Sequence, residues 1–355
     1  MSKFLKEGYA RLVPYVPGEQ PKDRAYVKLN TNENPYPPCP AAQSVLDDEA
    51  KLLRLYSDPE SSELVRAIAD LYGVSEQNVL VTNGSDESLA FLFCAFFDQK
   101  RAVAFPDITY GFYPIFADYA GASYEEIPLR EDFTIDVEAM LRSKKHLVFA
   151  NPNAPTGLKI ELSDVRRLAQ SDPDRLVVVD EAYVDFGADS AVPLIKEYDN
   201  LIVVQTFSKS RSLAGARLGM TFAPKALLDD LKTVKYSFNP YNVNRLTEKL
   251  GKAAIEDVAY FTDCVNKVKK TRTEAKVRLE SLGFFVLPSY SNFLFARHER
   301  IGGKDLYLAL KDRGVLVRHF DKARIADFVR VTVGTDEQMD ILYAALQDIL
   351  EKTTR

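Results

Sequence analysis

The chain of 355 residues has no tryptophan, three cysteines and three histidines. Each scarcity excludes something. Cys39, Cys94 and Cys264 are odd in number, widely spaced and without a Cys-x-x-Cys pair, so neither a disulfide framework nor a structural zinc site is expected. His146, His298 and His319 form no His-Glu-x-x-His motif, and no metal centre is expected. No apolar run is long enough to span a bilayer, and the start Met1-Ser2-Lys3-Phe4 lacks the apolar stretch of an export signal. These readings describe a cytoplasmic protein that does not bind membranes. The net charge of -5 is mildly acidic, and no basic patch suggests nucleic acid. The basic run Lys267, Lys269, Lys270 and Arg272 shares a helical segment with Asp263 and Glu274 and reads as a solvated face.

What is present is an ordinary globular composition, long enough for one large or two moderate domains. Residues 1–40 are rich in Pro, Asn and Tyr, and Leu29-Asn30-Thr31-Asn32-Glu33-Asn34-Pro35-Tyr36 reads as an ordered arm. Leu64, Ala67, Ile68, Leu71 and Tyr72 then recur at helical spacing. Short apolar runs at 79–81, 102–105, 145–150, 176–179 and 201–204 read as strands, with helices between them at 110–119 and 162–170. Continuous apolar strands separated by helices imply a parallel sheet covered on both faces. Ligands of such sheets gather at the carboxyl ends of the strands. Beyond residue 240 the pattern changes to helices at 244–255, 257–282, 304–313 and 336–351, with strands at 284–287, 292–296, 315–318 and 328–333. The expected organisation is an arm (1–40), a large domain (41–240) and a smaller C-terminal α+β domain (241–355). No internal repeat is found.

Polar motifs follow the strands directly. The run 79–81 leads into Asn83-Gly84-Ser85-Asp86-Glu87 and a helix. The free N–H groups at a helix start bind phosphate, and Gly84 and Ser85 would admit one; capping by Ser85 or Asp86 is the competing use of the same residues. The run 176–179 ends at Asp180-Glu181-Ala182-Tyr183, and 201–204 ends at Thr206-Phe207-Ser208-Lys209, with Arg217 eight residues beyond the lysine. A lysine amine condenses with a carbonyl to give a Schiff base, and Ser and Arg side chains bind anions. For any one of these lysines or arginines alone, a solvated surface role competes.

Together, in this order, the motifs resemble the fold-type I pyridoxal-phosphate enzymes, and among them the histidinol-phosphate aminotransferase family. The resemblance runs from the Asn-Glu-Asn-Pro arm to Arg330-Val331-Thr332-Val333-Gly334. It implies an α/β fold with a mainly parallel sheet in the large cofactor-binding domain. It also implies pyridoxal 5'-phosphate as cofactor, held as a Schiff base by Lys209, with that lysine then acting as base and acid. Asp180 would pair with the pyridinium nitrogen, and Tyr183 would meet the phenolic oxygen of the ring. Gly84, Ser85, Asp86, Ser208, Arg217 and the adjacent Thr206 would form the phosphate cup. Tyr110 would stack on the ring, and Tyr56 would reach the phosphate of a neighbouring subunit, making the active unit a homodimer. Arg330 would bind the α-carboxylate of glutamate or 2-oxoglutarate, and Tyr15 and Arg318 the substrate phosphate. The chain departs from the family where an Asn touching the phenolic oxygen is replaced by Ala154; Asn153 or Asn151 would substitute, or Tyr183 would act alone. The implied reaction is transfer of the amino group of L-histidinol phosphate to 2-oxoglutarate, in histidine biosynthesis. An aromatic amino-acid aminotransferase and a threonine-phosphate decarboxylase are alternatives on the same frame.

Overall fold

A computed structural model describes residues 2–353, except for the side chains of residues 11, 47, 48 and 353. In chain order its strands are β1 (Val27–Lys28), β2 (Val79–Thr82), β3 (Val103–Pro106), β4 (Tyr124–Ile127), β5 (His146–Ala150), β6 (Val177–Asp180), β7 (Leu201–Thr206) and β8 (Gly219–Phe222), followed by β9 (Phe284–Val286), β10 (Phe293–His298), β11 (Val315–Leu316), β12 (Arg318–His319) and β13 (Phe328–Thr332). The main sheet has the order β2-β8-β7-β6-β5-β3-β4. Strand β8 runs antiparallel to both its neighbours, and the remaining pairs are parallel.

The apolar runs are continuous because both faces of this sheet are buried. Val177, Val179, Leu201 and Val203 enter one core with Leu64, Ile68 and Leu168. Their neighbours Val178, Ile202 and Val204 enter the other, with Leu89, Phe93 and Leu228. Two strands of this sheet were not foreseen. β4 is an edge strand whose first three residues are exposed, so it carries no apolar run. β8 is short and sits directly behind the polar loop that follows β7. Its direction has a consequence for function. A strand running back from the carboxyl edge starts at that edge, so Arg217, two residues before β8, returns to the side where β7 ended. Helix Lys225–Phe238 was also not foreseen, and helix Tyr113–Ala120 starts after Tyr110 rather than at it.

A second, antiparallel sheet has the order β12-β13-β10-β9. Leu294, Ala296, Val329 and Val331 pack there against Leu306, Leu310, Leu342 and Leu346. The arm joins this unit: β1 pairs in parallel with β11, and Leu29 is buried in the same core. Helix Arg245–Glu256 lies beyond residue 240 yet packs on the first core through Ala254 and Ile255. At Gly251, a Cβ would lie 2.3 Å from Leu218 and 3.3 Å from Leu64. The long helix Val258–Ser281 contributes Val265 and Val268 to a cluster with Tyr183 and Phe293, and Ala275 and Leu279 to the C-terminal core.

Candidate active site

The carboxyl edge of the main sheet opens into a cavity of about 380 Å³. Ser85, Asp86, Tyr110, Asp180, Tyr183, Thr206, Ser208, Lys209 and Arg217 all line it. They arrive from five separate stretches of sequence, and the parallel register of β6 with β7 sets Asp180 beside Val204.

Asp180 ends β6 and is buried. Its Oδ2 accepts the Tyr113 hydroxyl proton at 2.9 Å, and its Oδ1 accepts the Ala182 N–H at 3.1 Å. Burial raises its pKa to about 6, against the pull of those two donors. Glu181 follows it on the strand line and points away from the cavity, as alternation requires. Its carboxylate accepts from the Ala191 N–H, the Ser190 hydroxyl and the Gln205 amide. Lys209 lines the cavity, with its Nζ donating to the Thr31 carbonyl at 3.2 Å and lying 5.7 Å from the centre of the Tyr183 ring. The Asn34 amide donates to the Lys209 and Ser210 carbonyls at 3.0 and 3.2 Å and ties this loop to the arm.

At the other end of the cavity, donors gather. Helix Ser85–Phe96 starts with Gly84 as its N-cap and has no side-chain cap. Ser85 and Asp86 therefore lie inside the first turn, and the capping role is not the one they play. Gly84 has φ +80°, and a Cβ on it would sit 2.5 Å from Arg217 Nη2. Only glycine leaves that space open. Arg217 donates to Ser208 Oγ at 3.4 Å and to Asp86 at 3.3 Å, and Thr206 Oγ1 donates to Ser208 Oγ at 3.0 Å. The Tyr110 hydroxyl donates to Asp86 Oδ1 at 2.8 Å; burial and that carboxylate push its pKa well up.

Several expected residues lie elsewhere. Asn153 is buried and does not line the cavity. Its amide is committed to the loop after β3, accepting from Thr109 Oγ1 at 2.7 Å and donating to the Ile108 carbonyl at 2.9 Å. Asn151 is likewise committed, bonding both polar groups of Ile160. Neither substitutes for the missing Asn, and Ala154 presents its methyl group to the cavity. Tyr56 is 77% exposed and stacks on Tyr241 at 4.4 Å, outside this cavity. Tyr15 stacks on Phe112 at 4.2 Å and lies 6.4 Å from Tyr110. Arg318 donates to the Val16 and Pro17 carbonyls at 2.9 and 3.0 Å. Arg330 donates to the Asn30 carbonyl at 3.2 Å and is flanked by the Phe293 and Phe320 rings. Its Nε is buried with no hydrogen-bond partner. Burial lowers the pKa of this guanidinium, while Tyr183 and Tyr15 oppose the shift.

Sequence reading missed Tyr113 and Asn32. Tyr113 sits one turn after Tyr110, and that spacing was the available signal. Asn32 was seen only as part of the arm, because its partners are hundreds of residues away.

The mainly parallel sheet, with an amine, a buried carboxylate and anion donors converging at its carboxyl edge, is the arrangement of a fold-type I enzyme. A family model described as aminotransferase class I and II matches residues 24–346. The chain is 48% identical over 353 residues to the histidinol-phosphate aminotransferase of Brachyspira hyodysenteriae, covering 99% of this chain and 100% of that one. It is 49% identical over 350 residues to histidinol-phosphate aminotransferase 1 of Bradyrhizobium diazoefficiens, with 99% and 100% coverage. The chain therefore belongs to the class I and II aminotransferases, and within them to the histidinol-phosphate aminotransferase family. Its fold matches a Sinorhizobium meliloti histidinol-phosphate aminotransferase solved with pyridoxal-5'-phosphate (TM-score 0.91, 24% identity, 99% of each chain). It also matches the L-threonine-O-3-phosphate decarboxylase of Porphyromonas gingivalis (TM-score 0.80, 24% identity, 91% of this chain and 99% of that one). The fold alone therefore does not choose the reaction.

Proposed function

We propose that this chain is a pyridoxal-phosphate aminotransferase that exchanges the amino group of L-histidinol phosphate with 2-oxoglutarate. The observation that carries the proposal is the convergence of Lys209, Asp180 and the Ser85–Ser208–Arg217 donors on one cavity, in a chain nearly half identical to enzymes of that name. The residues fit the cofactor. Gly84 keeps open a space beside Arg217 that a Cβ would fill, and the first turn of helix Ser85–Phe96 has no side-chain cap competing for its N–H groups.

Bound there, pyridoxal phosphate supplies an aldehyde for the amine and a protonated ring that draws electrons from the substrate Cα. Arg217, Ser208 and the first-turn N–H groups at Ser85 and Asp86 would hold its phosphate. The Asp180 carboxylate would hold the proton on the ring nitrogen, and a cation at that point would favour the ionised carboxylate that burial opposes. Tyr113 and the Ala182 N–H fix the orientation of that carboxylate. Lys209 Nζ would be the amine that holds the cofactor's aldehyde, and as a free amine it would take and return the proton at the substrate Cα. Arg330 receives the α-carboxylate of glutamate or 2-oxoglutarate, an anion suited to its unpartnered Nε.

The chain is proposed to act in the cytoplasm, as its free cysteines suit a reducing compartment, and among the described residues no helix is long and apolar enough to cross a membrane. We further propose a homodimer in which Tyr56, exposed and outside its own cavity, completes the partner's phosphate site. The proposed division is an arm (1–40), a large domain and a C-terminal domain, and the packing of Ala254 and Ile255 argues for moving the second boundary from residue 240 to the start of helix Val258–Ser281.

A substrate panel tests the proposal. Histidinol phosphate, phenylalanine and threonine phosphate are supplied in turn, with glutamate formation and carbon dioxide as readouts. Glutamate formed fastest from histidinol phosphate supports the reading. Preference for phenylalanine, or carbon dioxide from threonine phosphate, overturns it.

A further inference from the structure

Ala154 leaves the cavity without the amide that its family places beside the ring's phenolic oxygen, and neither Asn151 nor Asn153 is free to replace it. An amide from the arm takes up the neighbouring position. Asn32 is 1% exposed, and its side-chain Nδ2 donates to the Tyr183 hydroxyl oxygen at 2.9 Å. Every other polar group of Asn32 is also engaged. Its N–H donates to Thr332 Oγ1 at 3.0 Å, its Oδ1 accepts from that hydroxyl at 3.0 Å, and its carbonyl accepts from the Asn292 amide at 3.0 Å. This network sets the amide's orientation. Thr332 delivers its hydroxyl proton to Oδ1, so the Nδ2 end is the one facing Tyr183.

The backbone cooperates. Asn32 has φ +57°, a left-handed conformation rare outside glycine and tolerated by asparagine. That geometry is held from both sides, by β13 through Thr332 and by the loop before β10 through Asn292. The Tyr183 ring is also fixed, edge-on to Phe293 at 5.1 Å and clustered with Phe186 and Val268.

We propose that Asn32 is a positioning residue for the cofactor, acting through Tyr183 in place of the amide lost at position 154. This rests on the pyridoxal-phosphate reading above. A phenol has one proton to give and two lone pairs to accept with. The Asn32 N–H fills a lone pair, so the Tyr183 proton is turned away from Asn32 and toward the cavity. There it serves the phenolic oxygen, the position the missing Asn would have shared. A donor to that oxygen lowers the proton affinity of the group it belongs to. Asn32 therefore keeps the pH midpoint of the bound cofactor low, although it never touches it. Because Thr332 shares β13 with Arg330, the same amide ties the substrate-binding strand to the cofactor end of the cavity.

The test uses the holoprotein and a variant that spares the backbone. Asn32→Gly keeps the left-handed conformation at no steric cost and removes only the amide. Titrating the visible absorption of the holoprotein with pH should show its midpoint raised by about 0.4 to 1 pH unit, the equivalent of one net hydrogen bond. Affinity of the apoprotein for pyridoxal phosphate, measured by fluorescence, should fall about threefold to tenfold. In a Tyr183→Phe background the same change should move neither quantity, since the effect passes through the hydroxyl. Asn32→Asp, nearly isosteric, serves if the glycine variant does not fold. Its carboxylate would take the Tyr183 proton for itself and raise the midpoint further. An unchanged midpoint in either variant, or an Asn32→Gly shift of equal size with and without the Tyr183 hydroxyl, overturns the proposal. A wild-type protein that binds no pyridoxal phosphate would instead overturn the cofactor reading beneath it.

Discussion

The floor of the cavity and its rim are held in different ways. At the floor, Asp180, Thr206 and Lys209 follow or end two adjacent parallel strands, β6 and β7, both buried throughout. Backbone ladders and two apolar cores hold those positions. At the rim, the arm meets residues from the far end of the chain. Arg318 reaches the Pro17 carbonyl across 301 residues of sequence, and Arg330 reaches Asn30 across 300. Many hydrogen bonds join the arm to the C-terminal unit there, and each of them depends on the arm being docked. The difference teaches where rigidity is invested. The amine and the carboxylate, which act on the reacting atoms, stand on the sheet. The groups assigned to the ends of substrates stand on the C-terminal sheet and touch the arm.

The largest expected effect lies at the floor. Lys209→Ala should lower turnover by about 10³-fold or more, since both the covalent and the proton-transfer roles are lost. Thermal unfolding of the apoprotein should be almost unchanged. Normal rates in this variant would erase the distinction between floor and rim.

Asp180→Asn comes next, with turnover lowered by roughly 10²-fold or more as the ring loses its charged partner. It also carries a pH signature in the apoprotein. The folded-state pKa of Asp180 is raised from 3.8 to about 6. The protonated carboxyl therefore adds stability that is fully present below pH 3.8 and is lost as pH rises through about 6. The Asn variant cannot ionise, so its stability relative to wild type should improve as pH rises from 4 to 7. A difference that stays flat across that range, followed by urea denaturation, would contradict the burial of this charge.

Effects at the rim should be smaller and confined to binding. Arg330→Ala should raise the 2-oxoglutarate concentration needed for half-maximal rate by about tenfold to a hundredfold, the worth of a charge-assisted hydrogen bond. An unchanged oxo-acid half-reaction would remove Arg330 from its role. Arg318→Ala should change rates only a few-fold and act chiefly on the arm. With the Val16 and Pro17 carbonyls released, limited proteolysis near residues 12–20 should quicken. Equal protection in both proteins would mean that other contacts dock the arm.

The same contrast explains what was legible in the sequence. Strands β5, β6 and β7 announce themselves as apolar runs because both faces are buried, and Asp180 and Lys209 stand directly at their ends. Ser85, Ser208 and Arg217 were proposed from their positions relative to those strands, and all three line the cavity. Asn153 was misplaced because a loop amide can serve a ligand or a neighbouring loop, and only the contacts to Thr109 and Ile108, after β3, decide. β8 stayed hidden because a four-residue strand behind a polar loop has little pattern. Asn32 could not be read at all. Its meaning lies in Tyr183, Asn292 and Thr332, which share no local spacing with it.

One measurement bears most directly on the central assignment, that the amine of Lys209 is the group bonded to the cofactor. Purified holoprotein is reduced with borohydride, digested, and its peptides mapped by mass spectrometry. The pyridoxyl mass should sit on the peptide containing Ser208-Lys209-Ser210. The same mass on a peptide with a different lysine, or its absence from every peptide, would contradict the account.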